Sequence, residues 1–113
     1  MMHLIRALKD LDEITISRCL AISLGWEVYG ESSEGICADK KAIGSFNISN
    51  WSDIMPIAVE HNVFFEVIST HGLTKYKASQ FLSNGGHDYT MYGSTPQIAI
   101  ALCLIHIQED KDG

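Results

Sequence analysis

The sequence predicts a single α+β domain in which helices pack on a mainly antiparallel sheet of three to five strands. Three observations carry this expectation. Stretches near each end have the apolar spacing or density of buried helices, whereas Val63 to Thr70, Tyr76 to Leu82 and His87 to Tyr92 are rich in β-branched and aromatic residues. These three stretches follow one another through short turns, which favours a meander over a parallel, doubly wound sheet. The chain has 113 residues, 46% hydrophobic and 19% charged, so it is long enough to bury a core without metal or disulfide staples.

The first helix is expected over Leu11 to Leu24, where Leu11, Ile14, Ile16, Leu20, Ala21, Ile22 and Leu24 recur mostly three or four residues apart. Asp10 or Asp12 would cap it and Gly25 would end it. Trp26, Val28 and Tyr29 read as a short strand closed by Gly30. A turn at Ser32 to Gly35 then leads to a short strand around Ile36 to Ala38.

A second helix is expected over roughly Trp51 to His61, with Asn47, Ser49, Asn50 and Ser52 as candidate caps. Pro56 sets the choice: with Ser52 as cap, its missing N–H falls in the unpaired first turn, and with Asn50 a bend is expected. The strands follow, the last two joined by Asn84, Gly85 and Gly86, a strong hairpin signal. Gly93 breaks the strand, Ser94 or Thr95 caps, and Pro96 suits the first helical position of a last helix, apolar nearly all round from Ile98 to Ile107. Such a helix must be covered on most sides. Residues 1–9 and 109–113 read as frayed tails of the one domain.

Charge is unevenly placed. The net charge is −6, and between Asp10 and Asp39 seven acidic residues face one basic residue, Arg18. Direct binding to nucleic acid is therefore disfavoured, since that affinity comes from Lys and Arg displacing counterions. Glu27, Glu31, Glu34 and Asp39 are instead candidates for steering a basic protein partner. Lys75, Tyr76 and Lys77 form a small basic and aromatic patch, read as a strand edge guarded by lysines.

Cys19, Cys37 and Cys103 are odd in number and form no Cys-x-x-Cys pair, so a reducing cytoplasm fits best. No stretch near the N-terminus is apolar enough for a signal peptide, and the longest apolar run is about half the ~20 residues of a membrane span. Cys19 and Cys103 read as small core hydrophobes, and Cys37, in a loop beside Asp39 and Lys40, as the thiol that could be exposed. The five histidines lack metal-ligand spacing, with His71 and His87 the pair expected to meet near the hairpin. No catalytic residue, metal or cofactor is implied. The start of the last helix, at Ser94 and Thr95, is the one candidate anion site, against a plain capping role. Most of the aromatic residues are expected to be buried.

Two stretches together resemble a family of small bacteriophage and prophage proteins, the NinX-like group and the related phage αβα-sandwich domain. Ile48-Ser49-Asn50-Trp51-Ser52-Asp53-Ile54-Met55-Pro56-Ile57 is similar to the family's Ser-Thr-Asp-Trp, four residues, Pro-Leu. Tyr92 to Cys103 is similar to its Gly-Pro-Thr-Pro followed by an apolar helix, with Asn50 in place of the family's Asp and Ser94 in place of its first Pro. The resemblance spans roughly Cys19 to Gln108 and implies an αβα sandwich with helices on both faces of an antiparallel sheet, and no enzyme activity.

The function expected from these features is a non-catalytic phage or prophage accessory protein. It would bind a host protein in the bacterial cytoplasm, such as a component of an antiviral defence system that it inhibits. Two alternatives stand beside it: a protein that sequesters a nucleotide or other small molecule, and an enzyme with an unrecognised site around Cys37 or the histidine pair. Monomer and homodimer are both compatible with the sequence.

Overall fold

The computed structural model describes residues 12–40, 44–81 and 87–112. Residues 1–9 and the Asn84 to Gly86 turn signal lie outside them. The described elements run α1 (Glu13–Ser23), β1 (Val28–Ser32), β2 (Gly35–Ala38), α2 (Trp51–Glu60), β3 (Val63–Thr70), β4 (Leu73–Phe81), β5 (His87–Gly93) and α3 (Pro96–Asp112). The class is α+β, with two antiparallel sheets: a hairpin of β1 and β2, and a meander in the order β3-β4-β5.

Helix α1 begins where Asp12 accepts a 2.7 Å hydrogen bond from the Thr15 N–H, and closes through Gly25 at φ +84°. It buries Ile16, Leu20 and Ala21, while Ile22 lies exposed. Strand β1 does not stop at Gly30 but passes through it to Ser32 with an irregular register between Val28 and Gly30. Beyond β2, Phe46 pairs with Ile36 through reciprocal backbone bonds of 2.9 and 2.8 Å, bringing the segment before α2 onto the hairpin.

Asn50 is the backbone cap of α2, which places Pro56 at the sixth helical position rather than in the first turn. The missing Pro56 N–H would have served Ser52, and Ser52 is exposed, so water can take its place. The Asn50 side chain makes no capping bond; instead Asp53 in the first turn ties the preceding loop to the helix, its Oδ2 accepting from the Asn47 N–H at 3.1 Å.

Strand β3 has the bounds expected from sequence, but β4 starts at Leu73, three residues early. His71 at φ 52° and Gly72 at φ 78° make the two-residue turn between them, with Thr70 opposite Leu73. Strand alternation puts Val63, Phe65 and Val67 on the inner face with Ala78, Tyr76 and Met91, and Phe64, Glu66 and Ile68 on the outer face with Lys77, Lys75 and Tyr92.

Helix α3 is the centre of the molecule. Thr95 caps it, its Oγ1 accepting from the Ile98 N–H at 3.1 Å, and residues Ile98 to Ile105 are all buried. Strands β3, β4 and β5 and helices α1 and α2 all pack against it. Each buried Ile or Leu contributes about 1.5–3 kcal/mol, so this one helix organises much of the core. Where frayed residues were expected after Gln108, the helix continues to Asp112, and the Tyr89 hydroxyl donates to Asp110.

Among the described residues α3 touches all three strands of the meander and both other helices, and α2 also touches β3. Most aromatic side chains were expected to be buried, but six, Tyr29, Trp51, Phe64, Phe65, Phe81 and Tyr92, are exposed.

Candidate functional site

The four acidic candidates lie on or beside the β1–β2 hairpin, and all four are exposed. Asp39 Oδ1 accepts from the Glu27 N–H at 2.9 Å while the Asp39 N–H donates to the Glu27 carbonyl at 3.0 Å, so these two close the open end of the hairpin. Glu34 sits at the opposite end, in the turn, where its carbonyl accepts from Asn47 Nδ2 at 3.1 Å. With Ser45, Asn47 and Asn50 it lines a polar depression of about 400 Å³.

Glu31 reaches Arg18 of α1 at 3.4 Å, with both side chains about half exposed. Such an exposed pair contributes little stability, but it does neutralise one carboxylate. The two ends of the hairpin are separated by roughly 15 Å of strand, more than a Debye length at physiological salt. Glu27 with Asp39 and Glu34 therefore act as two negative regions rather than one cluster.

At the start of α3, the Thr95 hydroxyl and the Ile98 N–H satisfy each other, and Gln97 Nε2 donates to the Ser49 carbonyl at 3.3 Å. Ser94 is exposed beside them. The capping role is thus occupied by Thr95, and Gln97 fastens the helix start to the loop before α2.

His71 and His87 are not brought together. His71 is in the β3–β4 turn beside Leu73, whereas His87 pairs with Phe81 at the far end of β4, roughly 27 Å away at about 3.4 Å per residue. Cys37 is exposed, but in strand β2 opposite Gly30 rather than in a loop. Cys103 is buried, donates weakly to the Tyr89 carbonyl at 3.8 Å, and burial pushes its thiol up to about 12. Burial also raises Cys19, so at neutral pH neither is a ready thiolate. Among the described residues no group of three His, Cys, Asp or Glu side chains is placed to hold a metal ion. No described helix is long and apolar enough to cross a membrane.

Sequence reasoning missed three features. A hollow of about 270 Å³ is lined by Leu24, Trp26, Ile57, Glu60, His61 and Gln108. In it His61 Nδ1 lies 3.0 Å from the Ile57 carbonyl, which only accepts, so Nδ1 carries the proton and Nε2 accepts from Gln108 Nε2 at 3.3 Å. On α3, His106 Nδ1 and Glu109 Oε2 are buried three residues apart with no hydrogen-bond partner among the described residues, and Tyr89 is edge-on to His106 at 5.0 Å. Finally, Lys75 and Lys77 belong to the central strand β4, so they guard no edge, and Lys77 instead pairs with Glu66 of β3 at 3.5 Å.

The fold and these sites define an α+β domain with an acidic two-stranded hairpin and a separate three-stranded sheet. No protein-family model matches the chain, and no curated protein is significantly similar to it.

Proposed function

We propose that this chain is a non-catalytic accessory protein that acts by binding a basic partner protein. The observation that carries the proposal is the β1–β2 hairpin, which holds Glu27, Glu31, Glu34 and Asp39 at the surface with Arg18 of α1 paired to one of them. Carboxylates held in this way speed encounter with a cationic surface and repel nucleic acid. The resemblance of the helix starts at Asn50 and Thr95 to NinX-like proteins supports a phage or prophage setting, a bacterial host protein as partner and a cytoplasmic location. Inhibition of an antiviral defence component is the finer form of the same proposal. The nucleotide-sequestering alternative has less support, because the Thr95 hydroxyl and the Ile98 N–H already serve each other.

The test is capture of partners from bacterial lysate at low and high salt, using the native chain and a Glu27→Lys/Glu34→Lys variant. Asp39 is left unchanged because its carboxylate closes the hairpin, and Glu31 because reversal would set a lysine against Arg18. A basic protein retained at low salt, released by high salt and lost in the variant is the expected result. Identical capture by native and variant chains would sink the proposal.

A further inference from the structure

We propose that two copies of this chain pair antiparallel along the free edge of β3, about a two-fold axis through Val67, to make one continuous six-stranded sheet. Strand β3 is the first in the order β3-β4-β5, so one of its edges has no strand beside it among the described residues. Its eight residues pair with β4 without a register shift, whereas the β1–β2 and β4–β5 ladders are both irregular. It contains no proline, glycine or lysine, the usual means of blunting an edge, and its single charge, Glu66, is turned across to Lys77. Phe64, Phe65 and Val67 are 47%, 38% and 58% exposed, so both faces of the edge still offer apolar surface. A regular, unguarded strand of this kind is a template for another strand.

Symmetry and charge select the second copy and its register. In a continuous sheet the two-fold axis stands perpendicular to the sheet and keeps both inner faces on one side, so a residue must face one of the same strand parity. Two such registers give the longest overlap, centred on Glu66 or on Val67. The first sets carboxylate against carboxylate. The second sets Val67 against the partner's Val67, Phe65 against the partner's Ser69, and Glu66 against the partner's Ile68. Because Ile68 pairs with Lys75 within each chain, the outer face then reads Lys77, Glu66, the partner's Ile68, the partner's Lys75. Each carboxylate then has its own Lys77 on the neighbouring strand and the partner's Lys75 two strands away, and no like charges face each other.

Sedimentation equilibrium over a wide concentration range tests the pairing, with Val67→Lys to set two lysines against each other on the axis. The expected result is the mass of two 12.5 kDa chains for the native protein and of one for the variant, with matching circular dichroism. A second variant, Val67→Cys in a Cys37→Ser background, should cross-link to itself under mild oxidation, since residues facing each other in antiparallel strands have Cα atoms about 4.5–5.5 Å apart, within disulfide reach. A native chain that stays monomeric at the highest concentration overturns the proposal. So does a dimer that survives Val67→Lys, or one that fails to cross-link through the introduced thiol. Recovery of a foreign protein on this edge by a monomeric native chain overturns it too, assigning the edge to that partner.

Discussion

Gly93 and Ala99 approach so closely that a Cβ built on Gly93 would lie 2.6 Å from the Ala99 backbone nitrogen. The turn from β5 into α3 folds the helix back against the strand that feeds it, and a hydrogen in place of a side chain is what permits that approach. Gly93→Ala should therefore destabilise the protein by about 1–3 kcal/mol through overpacking, because the atoms it meets are backbone and cannot swing away. Urea unfolding followed by circular dichroism checks this. A loss near zero would mean that the turn is looser than described.

Ser17 makes a second close link. Its fully buried hydroxyl donates to the Glu13 carbonyl at 2.6 Å and accepts from the Ile48 N–H at 2.9 Å, joining α1 to the loop before α2. Ser17→Ala leaves the buried Ile48 N–H without a partner and should cost about 1–3 kcal/mol. Hydrogen exchange offers a local readout, since the Ile48 amide should lose protection more than the amides of α3 do.

Acid should weaken the start of α1. The hydrogen bonds from Thr15 hold Asp12 below the ordinary value of 3.8 in the folded chain. The unfolded chain thus binds this proton more readily, so the capping contribution is complete above the ordinary carboxyl range and is lost as pH falls through the folded-state value. In Asp12→Ala the part of the acid sensitivity that belongs to this cap should disappear. Urea midpoints measured from neutral pH downward for both proteins give the comparison, and parallel curves would refute the assignment.

The three thiols should separate by reactivity. Cys37 is exposed, Cys19 is half-buried with its thiol raised by burial, and Cys103 is buried with its thiol at about 12. Alkylation at neutral pH followed by mass spectrometry should label Cys37 first and Cys103 only on unfolding. Early labelling of Cys103 would show that the packing between α3 and β5 opens readily.

Much of the local structure was legible in the sequence because it rests on neighbours in the chain. The Asp12 and Thr95 caps, the Gly25 stop and the β-branched run of β3 each follow from residues a few positions apart. The His71–Gly72 turn was not recognised, although His, like Asn and Asp, is enriched in the left-handed conformation and Gly adopts it freely. The acidic side chains were correctly read as surface groups, but the use of Asp39 to bind the Glu27 N–H depends on a hairpin register that composition does not reveal.

By itself, then, the sequence determined the α+β class, the antiparallel meander and the need to cover the last helix on most sides. Only the tertiary structure decided what covers it: the three-stranded sheet together with α1 and α2. Periodicity states which positions seek burial, whereas strand order and layer order depend on contacts far apart in the chain. That difference is why Lys75 and Lys77 moved from an expected edge to the central strand, why His71 and His87 stand at opposite ends of β4, and why β3 is an edge strand among the described residues.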